Sequence, residues 1–257
     1  MDRGAQRGHL KLGFSVMVYG VFAHVYDVLM DDDLFLQWRD YTENHLPNTQ
    51  STILELGCGN GQLGLLLKQK GYDITGLDLS AEMLSLAKQR QEEAGVEFPI
   101  FQRDMRDLST FGMYDAIISF CDTLCYLETP EDLMTVFKET YAHLNEAGIF
   151  MFDVFTTEHM ESLDGYSYHD EVPGILFTWD SFPGEFPHAI EHDLSFFIEQ
   201  DSGLYERQEE LHKERTYPLE TYLSMLKEAG FSHVEVTADF DQEITGENQR
   251  WFFKAEK

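Results

Sequence analysis

The stretch ILELGCGNGQLG, residues 53–64, runs an apolar β-type segment straight into Gly57, Gly59, Gly61 and Gly64. Glycine turns a chain sharply out of a strand and leaves no Cβ between a ligand and the backbone N–H groups, so the run predicts a strand, a tight ligand-binding loop and a helix. A literal G-x-G-x-x-G stands at Gly59, Gly61 and Gly64, and the acid Asp78 follows at roughly the spacing of a dinucleotide fingerprint. Glu55, two residues before Gly57, argues against that ligand, because a carboxylate beside a pyrophosphate sets two anions against each other. It suits a ligand with a cationic end.

Outward from this loop, strands and helices alternate. TILEL (52–56) and DITGLD (73–78) read as strands around the helix that ends at Gly71, and Ser80 caps AEMLSLAKQRQEEAG, closed by Gly95. VEFPIFQRD, YDAIISF (114–120) and GIFMFDVF (148–155) read as further strands, with a helix at 130–144 between the last two. Upstream, Tyr19, Phe22, Ala23, Tyr26 and Met30 fall at helical spacing and open a packing helix. Such alternation builds a parallel sheet covered on both faces. From Thr156 to about Lys213 it gives way to β-type runs with Pro-Gly and Asp-Ser-Gly turns and no convincing long helix, which reads as an inserted antiparallel sheet. PLETYLSMLKEAG then forms a helix, and HVEVTADF with QRWFFKAEK closes the chain as a hairpin.

The expected fold is therefore α/β, a doubly wound, mostly parallel, seven-stranded Rossmann-like sheet with a C-terminal antiparallel hairpin and a small inserted antiparallel β subdomain. The expected organisation is a flexible extension at 1–16, a main domain from 17–155 and 214–257, and a lid at 156–213.

Composition narrows the function. The 257 residues carry 47 Asp+Glu against 18 Lys+Arg, a net charge of −29, which repels a phosphate backbone and argues against a nucleic-acid partner. Residues 139–206 contain no Lys or Arg at all while acids continue throughout. Three cysteines make no disulfide framework, and Cys121 and Cys125 lack a second pair with zinc spacing, so no metal is expected. No apolar run reaches the length of a membrane span and the first residues lack a signal-peptide core, so the expectation is a cytoplasmic protein with no membrane partner.

Taken together, ELGCGNG (55–61), the acid of GLDLS (Asp78), the acid of QRDMRDL (Asp104), YDAIISFCDTLCYL (114–127) and the terminal helix-to-hairpin passage resemble the class I S-adenosylmethionine-dependent methyltransferases, from about Tyr19 to the C-terminus. The resemblance implies S-adenosyl-L-methionine as cofactor. It implies that Glu55 and the loop Gly57, Cys58 and Gly59 sit at the methionine end, that Asp78 holds the ribose hydroxyls and that Asp104 meets the adenine amine. Tyr19, Leu79, Met83, Met105 and Phe120 complete the implied cofactor set. Carboxylates fit these roles because hydroxyls and an amino group are donors. The Asn/Asp-Pro-Pro-Tyr pattern of base amino-methyltransferases is replaced by SFCDTLCYL after the fourth strand, which with the acidity favours a small-molecule acceptor.

An activated methyl donor asks the protein chiefly for alignment, desolvation and a base. Asp122, His188 and His192 are the candidate bases, a histidine being suited by its ordinary pKa. Tyr166, Tyr168, Phe177, Trp179, Phe182 and Phe186 are candidate acceptor-pocket aromatics, and the cation-free lid points to a neutral or amine-bearing acceptor. Two other readings stand beside this one: an NAD-dependent oxidoreductase, and a cofactor-binding protein without turnover.

Overall fold

The structure, a computed structural model, describes residues 32–46 and 48–257. The expected helix over 19–30, with Tyr19, and the extension at 1–16 lie outside these residues.

The described residues begin with α1 (Asp32–His45) and then alternate: β1 (Thr52–Leu56), α2 (Gln62–Gln69), β2 (Asp73–Asp78), α3 (Ala81–Ala94), β3 (Ile100–Gln102) and β4 (Tyr114–Ser119). A single 3-10 turn (Thr123–Tyr126) precedes α4 (Pro130–His143) and β5 (Leu144–Phe155). After α5 (Thr157–Ser162) come four strands, β6 (Ser167–Val172), β7 (Ile175–Pro183), β8 (Ala189–Glu199) and β9 (Tyr205–Arg215). The chain closes with α6 (Leu219–Ala229), β10 (His233–Ala238) and β11 (Arg250–Glu256).

Two sheets result. The larger has seven strands in the order β10-β11-β5-β4-β1-β2-β3, and the smaller has four in the order β6-β7-β8-β9. In the larger sheet β1 to β5 pair in parallel, while β11 runs antiparallel to β5 and β10. The smaller sheet is antiparallel throughout. Strand order reverses between β1 and β4, so their C-terminal ends splay into a crevice, the place where open α/β sheets bind ligands.

Local chemistry explains the element ends. Ser80 Oγ accepts the Met83 N–H at 3.1 Å and Gly95 leaves α3 at φ 64°. Pro130 opens α4 behind Thr129, whose Oγ1 accepts the Asp132 N–H at 3.2 Å. Central strands are apolar on both faces, as strands covered by helices must be: Ile53, Leu54, Ala116, Ile117, Ile118, Phe150, Met151 and Phe152 are buried. On one face Phe152 lies parallel to its cross-strand partner Phe253, centroids 4.5 Å apart, and touches Phe150, Phe137 and Tyr222.

Some boundaries differ from expectation. The third strand is only three residues long, at the edge of the sheet beside β2. β5 starts at Leu144, through an irregularity in its pairing with β4 around Asn145–Gly148. A short helix, capped by Thr156 Oγ1 accepting the His159 N–H at 3.0 Å, opens the stretch read from sequence as purely β. The lid strands run on to Arg215. Among the described residues no helix is long and apolar enough to cross a membrane.

The aromatic stack predicts its own stability test. Phe152→Ala removes a side chain with no exposed surface and should cost about 3–5 kcal/mol in urea unfolding, whereas Leu204→Ala, at 71% exposure, should stay within about 0.5 kcal/mol of the parent.

Candidate functional site

Three chain segments meet at the crevice. The glycine loop leaves β1 with Gly57, Gly59 and Gly61 at φ 68°, 50° and 72°, all left-handed, so the loop needs residues without a Cβ. At Gly57 the need is steric as well, since a Cβ would meet Thr123 Cγ2, on the loop after β4, at 2.2 Å. At Gly59 a Cβ would face open space, so there the bare backbone looks outward. The Cys58 N–H donates to Leu77 O at 2.9 Å and ties the loop to β2, while the Cys58 side chain packs against Gly76.

Asp78 ends β2 and locks this loop. Its Oδ2 accepts the Gly59 N–H and its Oδ1 the Ser80 N–H, each at 2.8 Å. Burial raises the Asp78 carboxyl, against the backbone N–H groups of Ser80, Gly59 and Leu79, which lower it. Glu55 lies behind it, 5% exposed, with Oε2 lacking any hydrogen-bond partner. Burial first and the Asp78 charge second push Glu55 up to about 8. The orphaned oxygen lies against Gly64 on α2, where an added Cβ would meet it at 2.8 Å.

The other implied residues are distributed unevenly. Leu79 is 68% exposed at the end of β2, Met83 is half-buried on α3, and Phe120 is buried at the end of β4. Asp104 is engaged at both oxygens by Arg106, which also reaches Asp132 at 2.7 Å. This pairing holds Asp104 below the usual carboxylate range. Met105 packs on the main core.

The loop after β4 carries the second half of the site. Cys121 and Asp122 both take left-handed φ, 60° and 51°. Asp122 is held there from two sides: its N–H donates to Asp153 Oδ1 at 2.9 Å, and its Oδ1 accepts from Arg250 Nη2 at 2.6 Å. Asp153, on β5 with no exposed surface, also accepts the Trp38 Nε1–H at 3.0 Å. Arg250 comes from β11, 128 residues further along, and lies over the Phe155 ring. Sequence reasoning passed over Arg250. The available signal was a single cation in the otherwise apolar strand start QRWFF.

The two candidate histidines do not come together. His188 Nδ1 lies 2.9 Å from Glu161 at the α5 side of the smaller sheet. His192 is buried on β8, with Nδ1 against Ser181 Oγ at 2.7 Å and Nε2 at 3.9 Å from Glu214. Burial, then the His212 charge, lowers His192 to about 4, which keeps it neutral near pH 7. Of the lid aromatics, Phe177 packs with Leu194 and Phe196, and Trp179 meets His192 edge-on at 5.2 Å. Tyr166, Tyr168, Phe182 and Phe186 are exposed.

Glu55 makes stability depend on pH in a stated direction. A carboxyl raised in the folded state takes up protons on folding, so its contribution is full below about 4.5 and fades as pH rises toward about 8. Glu55→Gln should therefore gain stability relative to the parent progressively between those pH values, read as the difference in ligand-free Tm; a difference independent of pH counts against a buried, titrating Glu55.

A family model described as a methyltransferase domain matches residues 53–148. The chain is 40% identical over 246 residues to the putative methyltransferase YqeM of Bacillus subtilis (strain 168), covering 94% of this chain and 98% of that protein. Its fold is similar to that of an S-adenosylmethionine-dependent methyltransferase from Clostridium acetobutylicum ATCC 824, with TM-score 0.80 at 24% identity over 91% of this chain and 97% of that one. It is also similar to S-adenosylmethionine-bound CalS10, an amino pentose methyltransferase from Micromonospora echinaspora, with TM-score 0.68 at 19% identity over 95% and 99% of the two chains. A glycine loop with a buried acid at the crevice of a seven-stranded sheet, and near full-length likeness to a methyltransferase, give one answer: the chain belongs to the class I S-adenosylmethionine-dependent methyltransferases.

Proposed function

We propose that the enzyme methylates an amine-bearing small molecule, with the cofactor held by Glu55, Gly57, Gly59 and Asp78. The residues at the crevice fit the cofactor's chemistry. Gly59 leaves open backbone, and the Asp78 carboxylate at the loop is an acceptor suited to vicinal hydroxyls. Bound S-adenosylmethionine supplies a methyl group on a positively charged sulfur, so an acceptor nitrogen forms the new C–N bond as the C–S electron pair passes to sulfur. The protein's share is to align the acceptor, exclude water and let the nitrogen lose its proton.

The observation that carries the amine reading is the absence of any Lys or Arg from residues 139–206. The basic residues bordering that stretch are committed elsewhere. Arg207 bonds Ser195 Oγ at 3.2 Å and pairs with Glu209. Arg215 donates to Glu128 O at 2.9 Å and stacks on Phe186 and Tyr217. Arg250 is paired with Asp122 and lies beside Asp153. An anionic acceptor would have to take a guanidinium from these partners, whereas an ammonium is drawn by the negative field. The amino pentose named for the CalS10 structure is an acceptor of this class for that enzyme.

Asp78→Ala should weaken S-adenosylhomocysteine binding by about 2 kcal/mol, roughly thirtyfold, the scale of charge-assisted hydrogen bonds. Calorimetry on the folded variant measures it, and an unchanged Kd would remove Asp78 from the site. Assayed with tritiated cofactor against amines, carboxylates and phosphate esters, the enzyme should turn over amines alone. The rate should rise between about pH 6 and 9 as free amine becomes available. Turnover confined to anionic acceptors would sink the amine reading, and cofactor binding with no turnover on a broad panel would favour a binding protein.

A further inference from the structure

One side chain joins the crevice to the smaller sheet. Tyr126 ends the 3-10 turn that begins at Thr123, the residue whose methyl group leaves no room for a Cβ at Gly57. At about 2 Å of rise per residue, Tyr126 lies within about 6 Å of Thr123 along that turn, and so close to the glycine loop. It is 48% exposed, yet burial, then the Glu214 and Asp122 charges, raises its hydroxyl well above the ordinary tyrosine range. A side chain that solvent reaches but protein surrounds borders a cleft, not the open surface.

The hydroxyl heads a chain of three titratable groups. Tyr126 Oη lies 3.1 Å from His212 Nδ1, and His212 Nε2 lies 3.1 Å from Glu210 Oε2. Register sets His212 and Glu210 on one face of β9, with His192 of β8 directly opposite His212. The ends of the chain fix its protons. An ionised carboxylate only accepts, so the neutral imidazole carries its proton on Nε2 toward Glu210 and presents a lone pair at Nδ1. Tyr126 then donates to Nδ1, and its oxygen is an acceptor for a donor arriving from the cleft. Glu214 also lies beside the hydroxyl, but burial and then the Asp122 charge push it well up, which keeps it protonated further into the neutral range and less able to take that proton. The other charged or titratable groups facing the chain are His192, kept neutral chiefly by burial, Asp122 on the turn after β4, and Arg250 on β11, paired with Asp122 at 2.6 Å.

Resting on the amine-methylation reading above, we propose that Tyr126 and His212 are the general base for the acceptor: Tyr126 Oη takes a proton from the incoming ammonium as its own proton passes to His212 Nδ1, and Glu210 holds the imidazolium that forms. No phenolate is needed, in keeping with the raised hydroxyl. The amine left behind carries a lone pair. Its nitrogen bonds to the methyl carbon as the C–S pair passes to sulfur, the product leaves as the methylated ammonium, and His212, its side chain 17% exposed, returns the proton to solvent.

The test uses the full chain with S-adenosylmethionine and two acceptor probes, cyclohexylamine, an ammonium at neutral pH, and aniline, which is neutral there. With cyclohexylamine, Tyr126→Phe and His212→Gln should each lower kcat about a hundredfold at pH 7 with a smaller change in KM, and the rise of rate with pH should move up toward the ionisation of the free amine. Aniline has no proton to shed before attack, so with it both variants should stay within about threefold of the parent. The imidazole nitrogens give a readout without acceptor: NMR of neutral His212, assigned by its loss in His212→Gln, should show Nε2 protonated and Nδ1 bare. Glu210→Gln should lower the pH at which His212 titrates, because the imidazolium loses its counter-charge. Retained affinity for S-adenosylhomocysteine shows that each variant is folded. A proton on Nδ1 of neutral His212, equal slowing of both probes, or unchanged turnover of cyclohexylamine in the variants would overturn the relay while leaving the amine reading intact. A parent that methylates neither amine would overturn the amine reading, and the base assigned to it.

Discussion

A carboxylate with no exposed surface, Asp153, organises the functional end of this molecule. Burying an unpaired charge is expensive enough that the surroundings must answer it, and here they come from three other parts of the chain: the Trp38 indole on α1, the Asp122 N–H after β4, and Arg250 on β11. Even so, burial leaves the group at about 7, with Arg250 pulling it down and Asp122 pushing it up. The pairing fixes Asp122 in a left-handed conformation and with it the course of the turn that closes over Gly57 and carries Tyr126. These contacts tie α1, the turn after β4 and β11 to one buried carboxylate.

The rest of the site is graded outward from that anchor. On one side the glycine loop and Asp78 form a backbone-rich pocket whose shape is set by hydrogen bonds at 2.8 Å and by steric exclusion at Gly57. On the other, the smaller sheet turns a face of acids, histidines and one indole toward the same turn. Both halves carry a buried carboxyl with an unfilled oxygen, Glu55 in the first and Glu214 in the second. The acidity of the whole chain surrounds them with a field that attracts cations.

Much of this was legible in the residues. The loop ELGCGNG was readable because glycine spacing and a strand-end acid have local causes: φ angles and charge repulsion act within a few residues. The caps at Ser80 and Gly95 were readable for the same reason. Arg250 was not, since nothing in QRWFF says that β11 will insert beside β5 and aim a guanidinium at a residue 128 positions earlier. Nor was Glu214, one acid among many in YERQEELHKER until strand register decided which of them face inward.

The sequence by itself determined the alternating parallel sheet, the glycine loop at its crevice and the antiparallel insertion, because periodicity, turn residues and glycine act over short separations. Only the tertiary structure decided which acids are buried, which cation answers them and which polar atoms are left without partners. Those depend on non-local pairing, where a shift of one residue in register would turn Glu214 to solvent and bring a neighbour inward.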